Sequence, residues 1–107
     1  MPENYRQIIN LLFLCGMAAN HLDYLDEGQE CLMKALKMDT ETCNDNQDIK
    51  SGILLGIAQV HEQKGNLEEA LTCYEESKMI ALRECSSDDQ ALETHLENIG
   101  RVLNKLG

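Results

Sequence analysis

Residues 54–58 read Leu54-Leu55-Gly56-Ile57-Ala58, and the frame they carry, Leu-x2-apolar-small, returns as Leu12-x2-Cys15-Gly16 and Leu96-x2-Ile99-Gly100. The three frames are spaced 42 residues apart, from Cys15 to Ile57 to Ile99. Moving outward from them at the same offset, Leu25 stands over Leu67, Glu27 over Glu69, Gly28 over Ala70, Leu32 over Tyr74 and Ala35 over Ser77. Asp23, Gly65 and Gly107 share one column, where a turn would demand the left-handed backbone that Gly adopts freely and Asp tolerates. Apolar residues three and four apart describe helix faces, so each repeat is a helical hairpin that must stack on its neighbour to bury that face. The small residues Gly16, Ala58, Gly100, Gly28 and Ala70 would let helix backbones approach, while Leu12, Leu54, Leu32 and Tyr74 fill the grooves between them.

Punctuation places the helices. The first is expected over 2–21, with Pro2 in its first turn, the second over 26–39, the third over 48–63, the fourth over 67–84 and the fifth over 90–106. Residues 40–47 read as a loop, Lys64-Gly65-Asn66 as a turn, and Ser86-Ser87-Asp88-Asp89 as a break that caps the last helix. The composition agrees: 43% hydrophobic but 4% aromatic, with one Pro, no Trp and few β-branched residues, it favours helix over strand. The expected fold is all-α, tandem antiparallel helical hairpins with about five helices in one domain, 1–107. Repeat 1 covers about 9–50, repeat 2 about 51–92, and a half repeat or capping helix about 93–107.

Leu54-x2-Ile57-Ala58-x2-His61, Gly65 and Ala70-x3-Tyr74 resemble the tetratricopeptide-repeat (TPR) pattern of alternating large and small packing residues, and the resemblance covers nearly the whole chain. It departs from that pattern in lacking the terminal Pro and in holding Leu, His and Ala in the large aromatic columns. The period is longer than the usual 34 residues and resembles the longer repeats of kinesin light chains and Pins-type spindle-orientation adaptors. Glu97-Asn98-Ile99-Gly100-Arg101 is similar to their Asn-Leu-Gly core.

The resemblance implies a right-handed superhelix whose first helices line a concave groove for a peptide or helix of another protein. Carried onto this chain, the groove residues are Asn10, Phe13, Leu14, Met17 and His21, then Gln59, Glu62 and Gln63, then Asn98, Arg101, Asn104 and Lys105. Amides suit a peptide backbone, since each donates and accepts, and Arg101 with Lys105 would attract a carboxylate. The chaperone-tail clamp known in some members needs Lys and Asn where this chain has Phe13, Met17 and Gly56, so that ligand is not expected. The implied function is that of an adaptor or scaffold.

The ends suggest a second reading. Ile8, Ile9, Leu11, Leu12, Phe13 and Leu14 make the first helix apolar nearly all round, and the fifth carries Leu92, Leu96, Ile99, Leu103 and Leu106 with no second helix to cover them. A partner, a second copy or flanking repeats would cover such faces, so homo-oligomerisation is the alternative function.

A net charge of −10 repels phosphate backbones and anionic lipids, which argues against nucleic-acid or membrane partners. The apolar run from Ile8 to Ala19 after Arg6 has the outline of a secretory leader, but Glu3, Asn10 and the repeat register read it as a structural helix. Five cysteines, an odd number without any N-x-S/T sequon, fit a reducing compartment, cytoplasmic or nuclear. Cys31 with Cys73 and Cys43 with Cys85 are repeat equivalents, too far apart across an intervening helix for disulfides. Cys15, Cys31 and Cys73 are expected as small core fillers.

No spacing suits zinc. Asp39-x-Glu41-x-Cys43 opens like a calcium loop but has Asn44 and Lys50 where Gly and Glu are required. His21, His61 and His95 are scattered, Glu68-Glu69 and Glu75-Glu76 fall on outer faces, and phosphate loops and nucleophile elbows are missing. No cofactor, metal or catalysis is expected.

Overall fold

A computed structural model of the chain describes residues 4–41, 47–84 and 89–107. They form five helices: α1 (Asn4–His21), α2 (Leu25–Glu41), α3 (Gln47–Lys64), α4 (Leu67–Glu84) and α5 (Asp89–Leu106). No strand occurs among the described residues. Among the described residues the sequence boundaries hold to within two residues; Pro2, expected in the first turn of α1, lies outside them. Residues 40, 41 and 47, expected in a loop, instead belong to helices, the first two to α2 and the last to α3, and the Thr40 hydroxyl donates back to Leu36 O at 2.9 Å. The rest of that loop, 42–46, and the Ser86-Ser87-Asp88 break lie outside the described residues, as do Cys43 and Cys85.

The two hairpins turn in the same way. Asp23 has a φ of 67° and Gly65 one of 87°, each just past the end of the first helix of its pair. Tyr24 N–H reaches back to Ala19 O at 2.8 Å and Asn66 N–H to His61 O at 2.8 Å, the backward bonds that a left-handed residue makes possible at a helix C-terminus. The next helix starts at once, with Gly28 N–H on Tyr24 O and Ala70 N–H on Asn66 O. Such short connections force antiparallel pairs. Gly107, the third member of the column, does not take a positive φ; its N–H continues the helical ladder to Leu103 O at 2.9 Å.

The core is two clusters joined at Cys73. Ile9, Leu32, Ala35, Ile53, Ile57 and Val60 bring α1, α2 and α3 together. Ala58, Ala70, Tyr74, Ile99 and Val102 do the same for α3, α4 and α5. The columns keep their roles: Leu32 and Tyr74 are both fully buried, as are Ala35 and Ser77. Ser77 converts its place into a clasp, exchanging hydroxyl contacts with Ser51 at 2.9 Å and donating to Ser51 O.

Two expectations fail where the stack ends. Cys15 is exposed and not a core filler. Its repeat equivalent Ile57 packs on the preceding hairpin, and no described helix stands in that place beside α1. Ile99, expected on an outward stripe with Leu96, Leu103 and Leu106, is buried with Val102 against α4; helix spacing sets it between the exposed Leu96 and Leu103 on one side and the fully buried Val102 on the other, at the edge of the seam with α4.

His95 stands in the column of the fully buried Ile53, itself largely buried and with Nδ1 unpartnered among the described residues. Burial, helped by nearby Lys78, holds its pKa below the ordinary histidine value of 6.5. The unfolded chain therefore takes up a proton that the folded chain refuses, and stability falls as pH drops below about 6.5. His95→Ile should remove that loss: between about pH 7 and about pH 5 its melting temperature should shift less than that of the parent protein. Equal shifts in both would show that His95 is not the group responsible.

Candidate functional site

The last turns of the first helices line one groove of the stack. α1 contributes Asn20 and His21, α3 contributes Gln59, Glu62 and Gln63, and α5 contributes Arg101 and Lys105, around a groove of about 330 Å³. The 42-residue translation relates the lining residues: Asn20 superposes on Glu62, Gln59 on Arg101 and Gln63 on Lys105. The groove is thus one three-residue constellation used twice, neutral at the first step and ionic at the second.

The ionic step is centred on Glu62, which is only 9% exposed. Arg101 donates to it through Nε at 2.6 Å and through Nη2 at 2.8 Å, a two-pronged fit of guanidinium to carboxylate. Lys105 Nζ adds a third bond at 2.9 Å, and the buried Tyr74 hydroxyl a fourth at 2.8 Å. Arg101 Nη2 also donates to Asn98 Oδ1 at 3.0 Å.

These bonds set the charges. The Arg101 hydrogen bond, with help from Lys105 and Tyr74 and against the opposing effect of burial, holds the Glu62 carboxyl at about 2. Burial first and Glu62 second push the Tyr74 hydroxyl upward, and Glu62 raises Arg101 still further above its usual range. One carboxylate faces two cations, so the cluster keeps a net positive charge in a chain of −10. Both cations remain about half exposed and line the groove.

In the neutral step Asn20 is buried and its Nδ2 donates to Gly56 O at 3.3 Å. Its Oδ1 has no hydrogen-bond partner among the described residues, and it lies so close to Gly28 that any side chain there would collide with it.

His21, Gln59, Glu62, Gln63, Arg101 and Lys105 from the sequence reading therefore meet around one groove. Asn98 is buried behind it as a support for Arg101. Phe13 and Met17 are elsewhere: half buried, they fill the seam between α1 and α3 and rest on Gly52 and Gly56. Asn10, Leu14 and Asn104 are exposed and line no part of the groove. The carboxylate that Arg101 and Lys105 were expected to attract from a ligand is already present in Glu62. Asn20 was missed, although its column with Glu62 was readable.

Among the described residues no three His, Cys, Asp or Glu side chains are grouped to hold a metal ion, and no helix is long and apolar enough to cross a membrane. Residues 9–42 and 51–83, together more than half of the chain, match the family described as tetratricopeptide repeat. No curated protein and no solved structure matches the chain significantly. The two matched segments begin at equivalent positions of the 42-residue repeat and cover most of the hairpins α1–α2 and α3–α4, and α5 lies beyond them. With two consecutive family repeats folded as stacked helical hairpins, this chain belongs to the tetratricopeptide-repeat family.

Proposed function

We propose that the groove between α1, α3 and α5 holds a segment of a partner protein that carries an acidic side chain. Tetratricopeptide repeats generally mediate protein–protein interaction and scaffolding, and a protein-binding role follows from membership. The finer reading rests on one observation, the excess cation left when Arg101 and Lys105 share Glu62. Gln59, Gln63 and His21 beside it offer donors and acceptors for a peptide backbone. A bound carboxylate would meet N–H groups already held in place by Glu62, so little side-chain entropy is lost on binding.

The test is selection from a displayed peptide library, on the parent protein and on the Arg101→Ala/Lys105→Ala double variant. Acidic sequences should be enriched on the first and disappear on the second, and their binding should weaken as salt rises. Enrichment that is the same on both proteins would remove the groove from consideration.

A second reading, self-association, is supported by the apolar residues left outside on α1 and α5. Leu11 is 60% exposed and Leu14 61%, and Leu96, Leu103 and Leu106 are also exposed; the side chain of Leu92 lies outside the described residues. Light scattering across a concentration range separates the two readings, since a mass that rises with concentration favours the second and a constant monomer the first.

A further inference from the structure

We propose that the outer face of α5, at Leu96, Gly100 and Leu103, binds a basic amphipathic helix of a partner protein, seated as α2 sits on α1 and α4 on α3. This site is separate from the groove. The internal repeat shows what covers such a face. In the first hairpin, a side chain at Gly16 would start 2.7 Å from Leu32 Cγ and 3.1 Å from Gly28 O, so α2 fits α1 backbone to backbone with Leu32 closing the gap. In the second, Leu54, Ala58, Ala70 and Tyr74 take the same places, and all are buried.

On α5 the columns are the same, and no described helix covers them. Leu54 is 4% exposed but its equivalent Leu96 is 51%, and a side chain built at Gly100, the equivalent of buried Ala58, would meet nothing within 4 Å. Glycine inside a helix is costly relative to alanine. No group among the described residues uses the space that this glycine leaves open.

The occupant is defined by the two helices that already play its part. Both read Leu-x2-small-x3-large-x2-small: Leu25, Gly28, Leu32, Ala35 and Leu67, Ala70, Tyr74, Ser77. A second copy of this chain offers no good match. α5 has Asn104 four residues after Gly100 where the large residue is needed, and the exposed pair Ala18 and Leu22 of α1 runs past the helix end at His21. Charge sets the remaining preference. Glu93 stands in the column of Ser51, which touches Ser77 of α4, and Glu97 in the column of Leu55, which packs against the α4 cluster. Both glutamates are exposed on α5, so the helix that lands there is favoured by lysine or arginine at the position corresponding to Ser77.

The probe is a labelled peptide of residues 66–84 carrying Glu75→Lys, Glu76→Lys and Ser77→Lys, which takes its net charge from −3 to +2; it is titrated against the whole chain with reductant and followed by fluorescence anisotropy. Saturable one-to-one binding is expected. It should weaken about tenfold for the Gly100→Leu protein and for a peptide that also carries Ala70→Leu, because each fills the space needed for close approach. Glu93→Gln should flatten the salt dependence of binding. Gly100→Leu adds its side chain to open space, so its melting temperature reports that the fold is intact. Absence of saturable binding to the parent protein, or equal binding to Gly100→Leu, overturns the proposal. So does a concentration-dependent dimer that Gly100→Leu abolishes, which would assign the face to a second copy.

Discussion

Leu32→Ala should lower the unfolding free energy by about 3–5 kcal/mol, the upper part of the range for truncating a buried leucine. Leu32 is fully buried on α2. Its Cγ and Cδ2 lie 2.7 and 2.9 Å from where a side chain at Gly16 of α1 would begin, and its Cδ1 lies 3.0 Å from the same point at Gly56 of α3. The leucine thus fills space vacated by two glycines on two different helices. Once it is cut back, the cavity is walled partly by backbone, which cannot lean in as side chains can, so little of the loss is recovered by collapse. A domain of this size is held by about 5–15 kcal/mol in all, and the variant should be near the edge of folding. Urea unfolding followed by far-UV circular dichroism measures it. Leu36→Ala, on the half-buried neighbour in the same helix, should cost clearly less, and the assignment of Leu32 to the centre of the core fails if the two variants unfold together.

The same residues show why the fold was readable before any coordinates. Leu32 over Tyr74 and Gly28 over Ala70 are local statements about helix faces, and a repeat makes each of them twice. Asp23 over Gly65 fixes the turns independently of the faces, through backbone sterics alone. Cys15 and Ile99 were misread for a related reason. A column predicts burial only if the stack continues on that side, and repeat-equivalent residues at the ends of a stack lose or keep their neighbours depending on which face they occupy.

The groove was legible in outline and not in its chemistry. The family resemblance put His21, Gln59, Glu62, Gln63, Arg101 and Lys105 in the groove, but it could not show that Glu62 answers Arg101 and Lys105 on the next first helix. That pairing depends on the rotation of α5 about its own axis, which the packing of Ile99 and Val102 sets. Phe13 and Met17 were misplaced because Gly52 and Gly56 open a seam for them between α1 and α3, an approach that is visible only when both helices are in position.

Glu62→Ala should cost on the order of 2 kcal/mol, and the loss should fall mainly on α5. Removing one member of a buried ion pair can cost more than this, but here Arg101 and Lys105 are about half exposed and rehydrate when the carboxylate is gone. The larger part of the penalty comes from the buried Tyr74 hydroxyl, which loses the acceptor held at 2.8 Å. Hydrogen exchange should therefore show α5 amides opening more readily while those of α2 change little; uniform acceleration through all five helices would mean that Glu62 supports the whole stack. The acid limb gives a second test with its sign fixed. The folded pKa of Glu62 is about 2, below the ordinary 4.5, so its contribution is complete above about 4.5 and disappears as pH falls toward 2. Glu62→Gln should remove that part of the acid loss while leaving the His95 effect, which begins near neutrality, in place. Parallel stability curves for the parent and Glu62→Gln proteins below about pH 4.5 would show that the carboxylate carries no special stability, and with it would go the idea that Glu62 holds Arg101 and Lys105 ready for an acidic partner.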